Sequence, residues 1–274
     1  MRVRMKPRNL RSARVLTGYF VRLRTALTRR AVRLWPLAAW LIIWQISGVI
    51  FHQPLLLPLP SAVLRRLMDF MMTGAFWKAS LFSSVRILYG FFLGCLTGIL
   101  LSIPASISRR IRDFLYPAVL AIKSIPVASF VILALIWLNS RTLAIFIAFL
   151  MAFPPVYLSV LNAIQQTDVK LLEMAEIFRV SIWRKITGIY IPRVLPAFRT
   201  AVSVSMGLCW KAGTAAEVIG LPRGSLGEQL YNSKIYFLTP DLFAWTIVII
   251  ILSAIWERLF LYILDKIIKK TGIL

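Results

Sequence analysis

The sequence has one histidine, two cysteines and only 10 acidic residues among 274. His52 stands at the end of an apolar run beside Gln53 and Pro54, and Cys95 and Cys209 fall in separate apolar segments far apart in sequence. Spacing therefore builds no metal site and no redox pair, and both cysteines read as packing residues. No Gly-x-x-x-x-Gly-Lys-Ser/Thr loop is present, which excludes an ATPase within the chain. Gly-x-Ser-x-Gly and His-Glu-x-x-His are also missing, so no constellation supports catalysis. A soluble second domain, a low-complexity linker and an internal repeat are likewise not seen.

What the chain has is apolar residues, 59% of the total against 16% charged, with a mean hydropathy of +0.78. That balance lies outside the soluble range and defines a membrane protein. The formal charge of +23 could signal nucleic acid, but its distribution argues otherwise. Of the 33 basic residues, 22 fall in four patches: 11 within residues 1–33, then Arg109, Arg110 and Arg112, then Lys170, Arg179, Arg184, Lys185 and Arg193, then Lys266, Lys269 and Lys270. These patches alternate with apolar runs in the way that places all four on the cytoplasmic side. The charge is topological information, and nucleic acid is not an expected partner.

The pattern predicts an all-α polytopic protein with about six transmembrane helices. Residues 1–33 form a basic cytoplasmic arm, 34–265 the membrane domain and 266–274 a basic cytoplasmic tail. The first run, Leu34 to Phe51, follows the arm without a small-x-small cleavage pattern and reads as a retained signal anchor. An amphipathic helix is expected after Pro60, capped by Ser61. The second span, Leu81 to Ile107, carries Gly90, Gly94 and Gly98 at four-residue spacing, a ridge that admits close approach of another helix. The third, residues 114–138, contains Pro117, Lys123, Ser124 and Pro126, and the fourth, Leu143 to Leu161, contains Pro154 and Pro155. Both are expected to be kinked and to border a pathway, because proline frees carbonyls that lipid cannot satisfy. Residues 197–220 and 241–264 complete the set, separated by an outward loop.

Two stretches stand out. Residues 168–196 form a charged hairpin between spans, in which Leu171, Leu172, Ala175, Phe178, Ile182 and Ile186 recur at helical spacing, Ser181 is placed as an N-cap, and Pro192 and Pro196 stop the element. It reads as a docking piece. In the fifth span Lys211 and Glu217 sit six residues apart, roughly 120° from alignment, so they need not pair with each other. A charge at mid-membrane costs about 2.5 to 3.5 kcal/mol, so each must face a polar cavity or a partner. Lys211, helped by Lys123, is expected to make the pathway attractive to an anionic solute; Pro126, Thr214 and Glu217 are assigned to the same pathway.

Glu173, Ala175, Ile189 and Pro192 stand at the spacing of the EAA loop of ABC importer permeases, which the hairpin resembles. Leu59-Pro60-Ser61-Ala62-Val63, Ser84-Val85-Arg86-Ile87-Leu88-Tyr89-Gly90-Phe91, Lys123-Ser124-Ile125-Pro126 and Ala216-Glu217-Val218-Ile219-Gly220 resemble the nitrate, sulfonate and taurine subgroup of binding-protein-dependent permeases. Met174, Ile191 and Arg179 depart from the pattern, the last standing where it has Gly. If a left-handed turn is kept there, Arg179 is strained by roughly 1 to 2 kcal/mol; alternatively the helix runs on to Ser181. The resemblance implies a type I importer permease of a bacterial inner membrane, with both termini cytoplasmic. It implies coupling to ATPases through Glu173, Ala175, Phe178, Arg179, Ser181, Trp183 and Pro192. The implied partners are two cytoplasmic ATPase subunits, a second permease copy as a homodimer, a periplasmic or lipid-anchored solute-binding protein and membrane lipids. No cofactor is expected on the chain itself, ATP and Mg being used by the partner ATPase. The implied solute is a small anion such as a sulfonate, taurine or nitrate, with a thiamine or pyrimidine precursor, or a non-transporting scaffold, as the alternatives.

Overall fold

The computed structural model describes residues 35, 36, 38–53 and 55–270, so the basic arm and the last four residues lie outside the described part. Regular structure among the described residues is helical throughout. The chain divides into two compact units at Ala62–Val63. In the first, helix α1 (Ala38–Phe51) is followed by a short turn over which the Trp44 indole donates to the Pro58 carbonyl at 3.1 Å. Helix α2 (Pro60–Met71) spans the division and begins one residue before the expected Ser61 cap.

The second unit is built on helices α3 (Gly74–Ile107), α4 (Arg109–Ser124), α5 (Val127–Ala134), α6 (Ser140–Gln165), α7 (Val169–Ile177), α8 (Ile182–Lys185), α9 (Ile191–Gly220), α10 (Leu226–Ile235) and α11 (Thr239–Lys270). Side-chain caps start α3 and α6: Thr73 Oγ1 accepts from the Phe76 amide and Asn139 Oδ1 from the Thr142 amide. Gly90, Gly94 and Gly98 form the expected ridge, and it is filled by α6. A Cβ on Gly94 would lie 2.6 Å from Ala152 Cβ and 2.7 Å from the Phe149 carbonyl oxygen, so only glycine permits this approach.

Contacts fix the helix directions. Gly90 meets Ile145 and Ala148 while Gly98 meets Val156 and Tyr157, so α3 and α6 run parallel, with α4 and α5 making the return. Ile87 packs on Gly213, Leu143 on Gly220, and the Cys209 thiol donates to the Ala148 carbonyl, so α9 runs antiparallel to both. Helix α11 is antiparallel to α9, tied by Ser203 to Glu257 and by Arg199 to Asp265 at 2.8 Å. The ends of α3, α6 and α11 and the start of α9 therefore share one end of the bundle, where three of the four basic patches lie.

The prolines behave differently from the sequence expectation. The third span is broken rather than kinked: α4 and α5 meet at 105° across Ile125–Pro126, while Pro117 is carried inside α4. Pro154 and Pro155 do not interrupt α6, which runs unbroken from Ser140 to Gln165. The outward loop contains α10, whose Leu226 and Gly227 are buried. Three described helices, α3, α6 and α11, are long and apolar enough to cross a membrane, and a fourth crossing results if the bent pair is one span. Helix α9 has 30 residues but carries Arg193, Arg199, Lys211 and Glu217.

Candidate functional site

At the basic end, Asp168 caps α7 by accepting from the Lys170 amide at 2.9 Å. The hairpin then turns through Arg179, at φ +51°. The Arg179 amide donates to the Glu176 carbonyl and the Val180 amide to the Ala175 carbonyl, each at 2.9 Å, which is the Schellman arrangement. Of the two readings open for Arg179, the turn is kept and the arginine occupies the left-handed position. Ser181 begins α8 by its backbone, and its side chain makes no capping bond. Pro192 and Pro196 do not stop the hairpin: a π-helical turn, Ile186–Tyr190, carries α8 directly into α9, with Pro192 in its first turn and Pro196 inside. Pro192 follows the π-helical turn directly, where the regular i→i+4 ladder is already interrupted and its missing amide is accommodated.

The turn splits the predicted apolar stripe. Ala175 is buried and Leu172 half-buried, whereas Phe178, Ile182 and Trp183 are 73%, 75% and 78% exposed. Glu173, Glu176, Arg179 and Arg184 surround them, also exposed. An apolar tip rimmed by charge is the signature of an interaction surface. Relief of the left-handed strain gives a first prediction: Arg179→Gly raises the stability of the hairpin by about 1 kcal/mol. A higher thermal midpoint of the purified protein checks it.

A second feature lies between α6 and α9. Ser159 and Asn162 on α6, Gln166 at its C-terminal cap, and Arg193 and Thr200 on α9 line an open polar cavity of about 490 Å³. The exposed face of α9 continues from it through Thr200, Val204 and Leu208 to Lys211 and Ala215. Arg193 and Lys211 lie 18 positions apart, about 27 Å along the helix. Neither makes an ion pair or hydrogen bond among the described residues. Lys123 and Pro126 are exposed at the break between α4 and α5. Helix α5 packs through Val131 and Ala134 on Ala212 and Ala216, the residues flanking the Lys211 face.

Thr214 and Glu217 point the other way. The Thr214 hydroxyl donates to the Trp210 carbonyl at 2.7 Å inside the bundle. Glu217 is 1% exposed; Oε2 accepts from the Ser83 hydroxyl at 2.6 Å and from the Gly227 amide at 3.3 Å, while Oε1 lies 3.8 Å from Arg86 Nη1. Arg86 also donates to the Ser140 carbonyl at 3.0 Å and covers the Phe82 ring at 4.5 Å. The Leu226 amide donates to Ser83 Oγ, so this cluster pins the start of α10 to α3 and α9. Gly227 is obligatory beneath it, since a Cβ there would lie 2.3 Å from Glu217 Cβ.

The structure thus leaves Glu173, Phe178, Arg179, Ser181 and Trp183 exposed on the hairpin, buries Ala175, carries Pro192 into α9, sets Lys211 on an open face and seals Glu217 into a neutralising cluster. Sequence reading missed Ser159, Asn162, Gln166, Arg193 and Thr200 as one cavity. Their signal was present, since Pro155, Ser159, Asn162 and Gln166 follow helical spacing. It pointed nowhere until α9 supplied the facing wall. It also gave Arg86 no role. Among the described residues no three His, Cys, Asp or Glu side chains are grouped to hold a metal.

Parallel α3 and α6 thus pack against an antiparallel α9, with a broken helix beside its open face and an exposed hairpin at the basic end. Residues 90–270 match the family described as binding-protein-dependent transport system inner membrane component, and the chain belongs to that family. It is a permease subunit of an ABC importer, not an enzyme. The chain is 25% identical to a putative aliphatic sulfonates transport permease protein of Bacillus subtilis, over 85% of this chain and 84% of that one. It is 26% identical to a taurine transport system permease protein of Escherichia coli, over 78% and 80%. Identity to a bicarbonate transport system permease protein of Synechococcus elongatus is also 26%, over 53% and 52%.

Proposed function

We propose that this permease imports a small oxyanion of the sulfonate, taurine or bicarbonate class. The observation that carries the reading is the open face of α9, on which Lys211 and Arg193 stand without an acidic partner above and beside the polar cavity. An unpaired cation on a membrane helix is stable only where water or an anion meets it. Two such cations on one face provide successive attractions for a negative solute, while Asn162, Gln166, Ser159 and Thr200 supply neutral donors at the inner mouth. The relatives named for sulfonates, taurine and bicarbonate support the same solute class.

The basic end is assigned to the cytoplasm by the positive-inside rule. Each exposed tip of Phe178, Ile182 and Trp183 docks one ATPase, with Glu173 and Arg179 on its polar rim, so two permease copies engage two ATPases. A binding protein delivers solute to the opposite end, near α10. Closure of the ATPases on hydrolysable ATP and Mg pushes the hairpins, and the π-helical turn transmits the push into α9 without a loop to absorb it. The packed bundle then alternates between outward and inward opening.

The test is uptake and ATP hydrolysis by the complex reconstituted with its co-expressed ATPase and binding protein, with an alkanesulfonate, taurine, bicarbonate and a neutral pyrimidine supplied separately. Stimulation by an anion and none by the pyrimidine supports the reading; the reverse overturns it. Truncation of a buried aromatic anchor removes roughly 2 kcal/mol or more of binding energy, so Trp183→Ala and Phe178→Ala are expected to lose ATPase during purification. Retention of the ATPase by both variants would remove the docking assignment.

A further inference from the structure

A second, apolar groove of about 530 Å³ runs between α3, α6 and the junction of the π-helical turn with α9. Its walls include Ile99, Ile103 and Ile107 of α3, Ile164 of α6, and Ile186 and Phe198. The volume is within the roughly 300–1,000 Å³ of small-molecule sites. Polar atoms scarcely enter it: the Ser106 hydroxyl is engaged by the Ile103 carbonyl at 2.6 Å, and Tyr190 contributes the only other polar side chain. Solute has no reason to enter such a groove, and it is separate from the polar cavity between α6 and α9.

Its mouth and depth follow from the helices. Ile107 ends α3 and Ile186 opens the π-helical turn, so the groove begins at the basic end of the bundle. Ile99 lies eight residues back along α3, about 12 Å inward at helical rise. Cations adjoin both walls in the chain: Arg109 and Arg110 follow Ile107 after Ser108, and Arg184 and Lys185 immediately precede Ile186. Arg109 is engaged by Asp113 at 3.6 Å, whereas Arg110, Arg184 and Lys185 have no acidic partner among the described residues.

We propose that this groove is a binding site for one anionic phospholipid, an acyl chain lying along Ile99, Ile103 and Ile164 and the phosphate held by Arg110, Arg184 and Lys185. An apolar slot opening beneath unpaired cations matches a molecule with a hydrocarbon tail and a negative head, and a bilayer supplies it at high local concentration. The lipid thereby bridges the end of α3 to the hairpin-bearing start of α9. This inference does not depend on the solute.

The experiment is native mass spectrometry of the full chain in detergent, titrated with phosphatidylglycerol or phosphatidylcholine of identical acyl chains. Retention of one phosphatidylglycerol in preference to phosphatidylcholine is expected. The preference falls about fivefold for each rim cation that holds the phosphate when Arg110→Gln, Arg184→Gln and Lys185→Gln are introduced singly. Ile103→Trp, which fills the slot, abolishes retention of both lipids while helical content stays constant by circular dichroism; if it fails to fold, the rim variants carry the test. Equal retention of the two lipids, or a preference unchanged by all three rim variants, overturns the proposal. So does a cross-link from an Ile103→Cys variant to residues 1–34 or to a second copy, since protein would then fill the groove.

Discussion

Lys211→Glu is expected to reduce solute uptake by about tenfold or more, because charged clefts with low-dielectric walls change local ion concentration and entry rates by 10 to 10³. The substitution places a carboxylate on the open face of α9, where nothing on the described chain neutralises it. Lys211→Arg keeps the charge and is expected to retain most of the uptake. The two variants separate electrostatics from packing, since Lys211 is exposed in the single chain and its removal opens no internal void. Uptake of the stimulating anion into vesicles, measured beside ATP hydrolysis, is the check. Unchanged uptake by Lys211→Glu would take this residue off the pathway.

Glu217→Ala is expected to destabilise the protein most, by roughly 3 to 5 kcal/mol, the usual penalty of removing one partner from a buried ion pair. The reason is visible in the cluster. Arg86, itself buried, keeps its charge 3.8 Å from an empty site, and Ser83 and the Gly227 amide lose their acceptor together. The start of α10 then keeps only the bond from the Leu226 amide to Ser83 Oγ, whose own acceptor is gone. Arg86→Ala leaves the complementary carboxylate buried and is expected to cost a similar amount. The double variant Arg86→Met with Glu217→Met removes both charges and is expected to be more stable than either single alanine variant. Thermal unfolding in detergent distinguishes these cases. A Glu217→Ala protein as stable as the parent would show that α10 is held in place by something else.

These two residues also show why sequence reading went only part of the way. Both were singled out by one argument, the cost of charge inside an apolar run, and that argument is blind to direction. Six residues on a helix turn them away from each other, which is local geometry and was legible. Which of them meets another helix depends on Arg86, 131 positions before Glu217. Periodicity carries no information about so distant a partner.

The prolines teach the converse. Pro126 breaks the third span because the chain also turns there, at 105°. Pro154 and Pro155 are carried within α6, where α3 packs alongside, and a helix supported by neighbours tolerates the lost hydrogen bonds. Pro192 sits directly after the π-helical turn, where the regular ladder is already interrupted. The residue type is the same in each case, and tertiary surroundings select the outcome.

The sequence by itself determined the membrane class, through an apolar content that no soluble domain can accommodate. It also determined the helical class, the glycine ridge, the charged hairpin and the resemblance to importer permeases, because each rests on composition or short-range spacing. Only the tertiary structure decided that α3 and α6 run parallel with α9 antiparallel to both, that Arg179 keeps a left-handed turn, and that Glu217 is sealed while Lys211 is open. Those outcomes depend on contacts between residues far apart in the chain, and their energies come from burial and pairing that exist only once the helices have met.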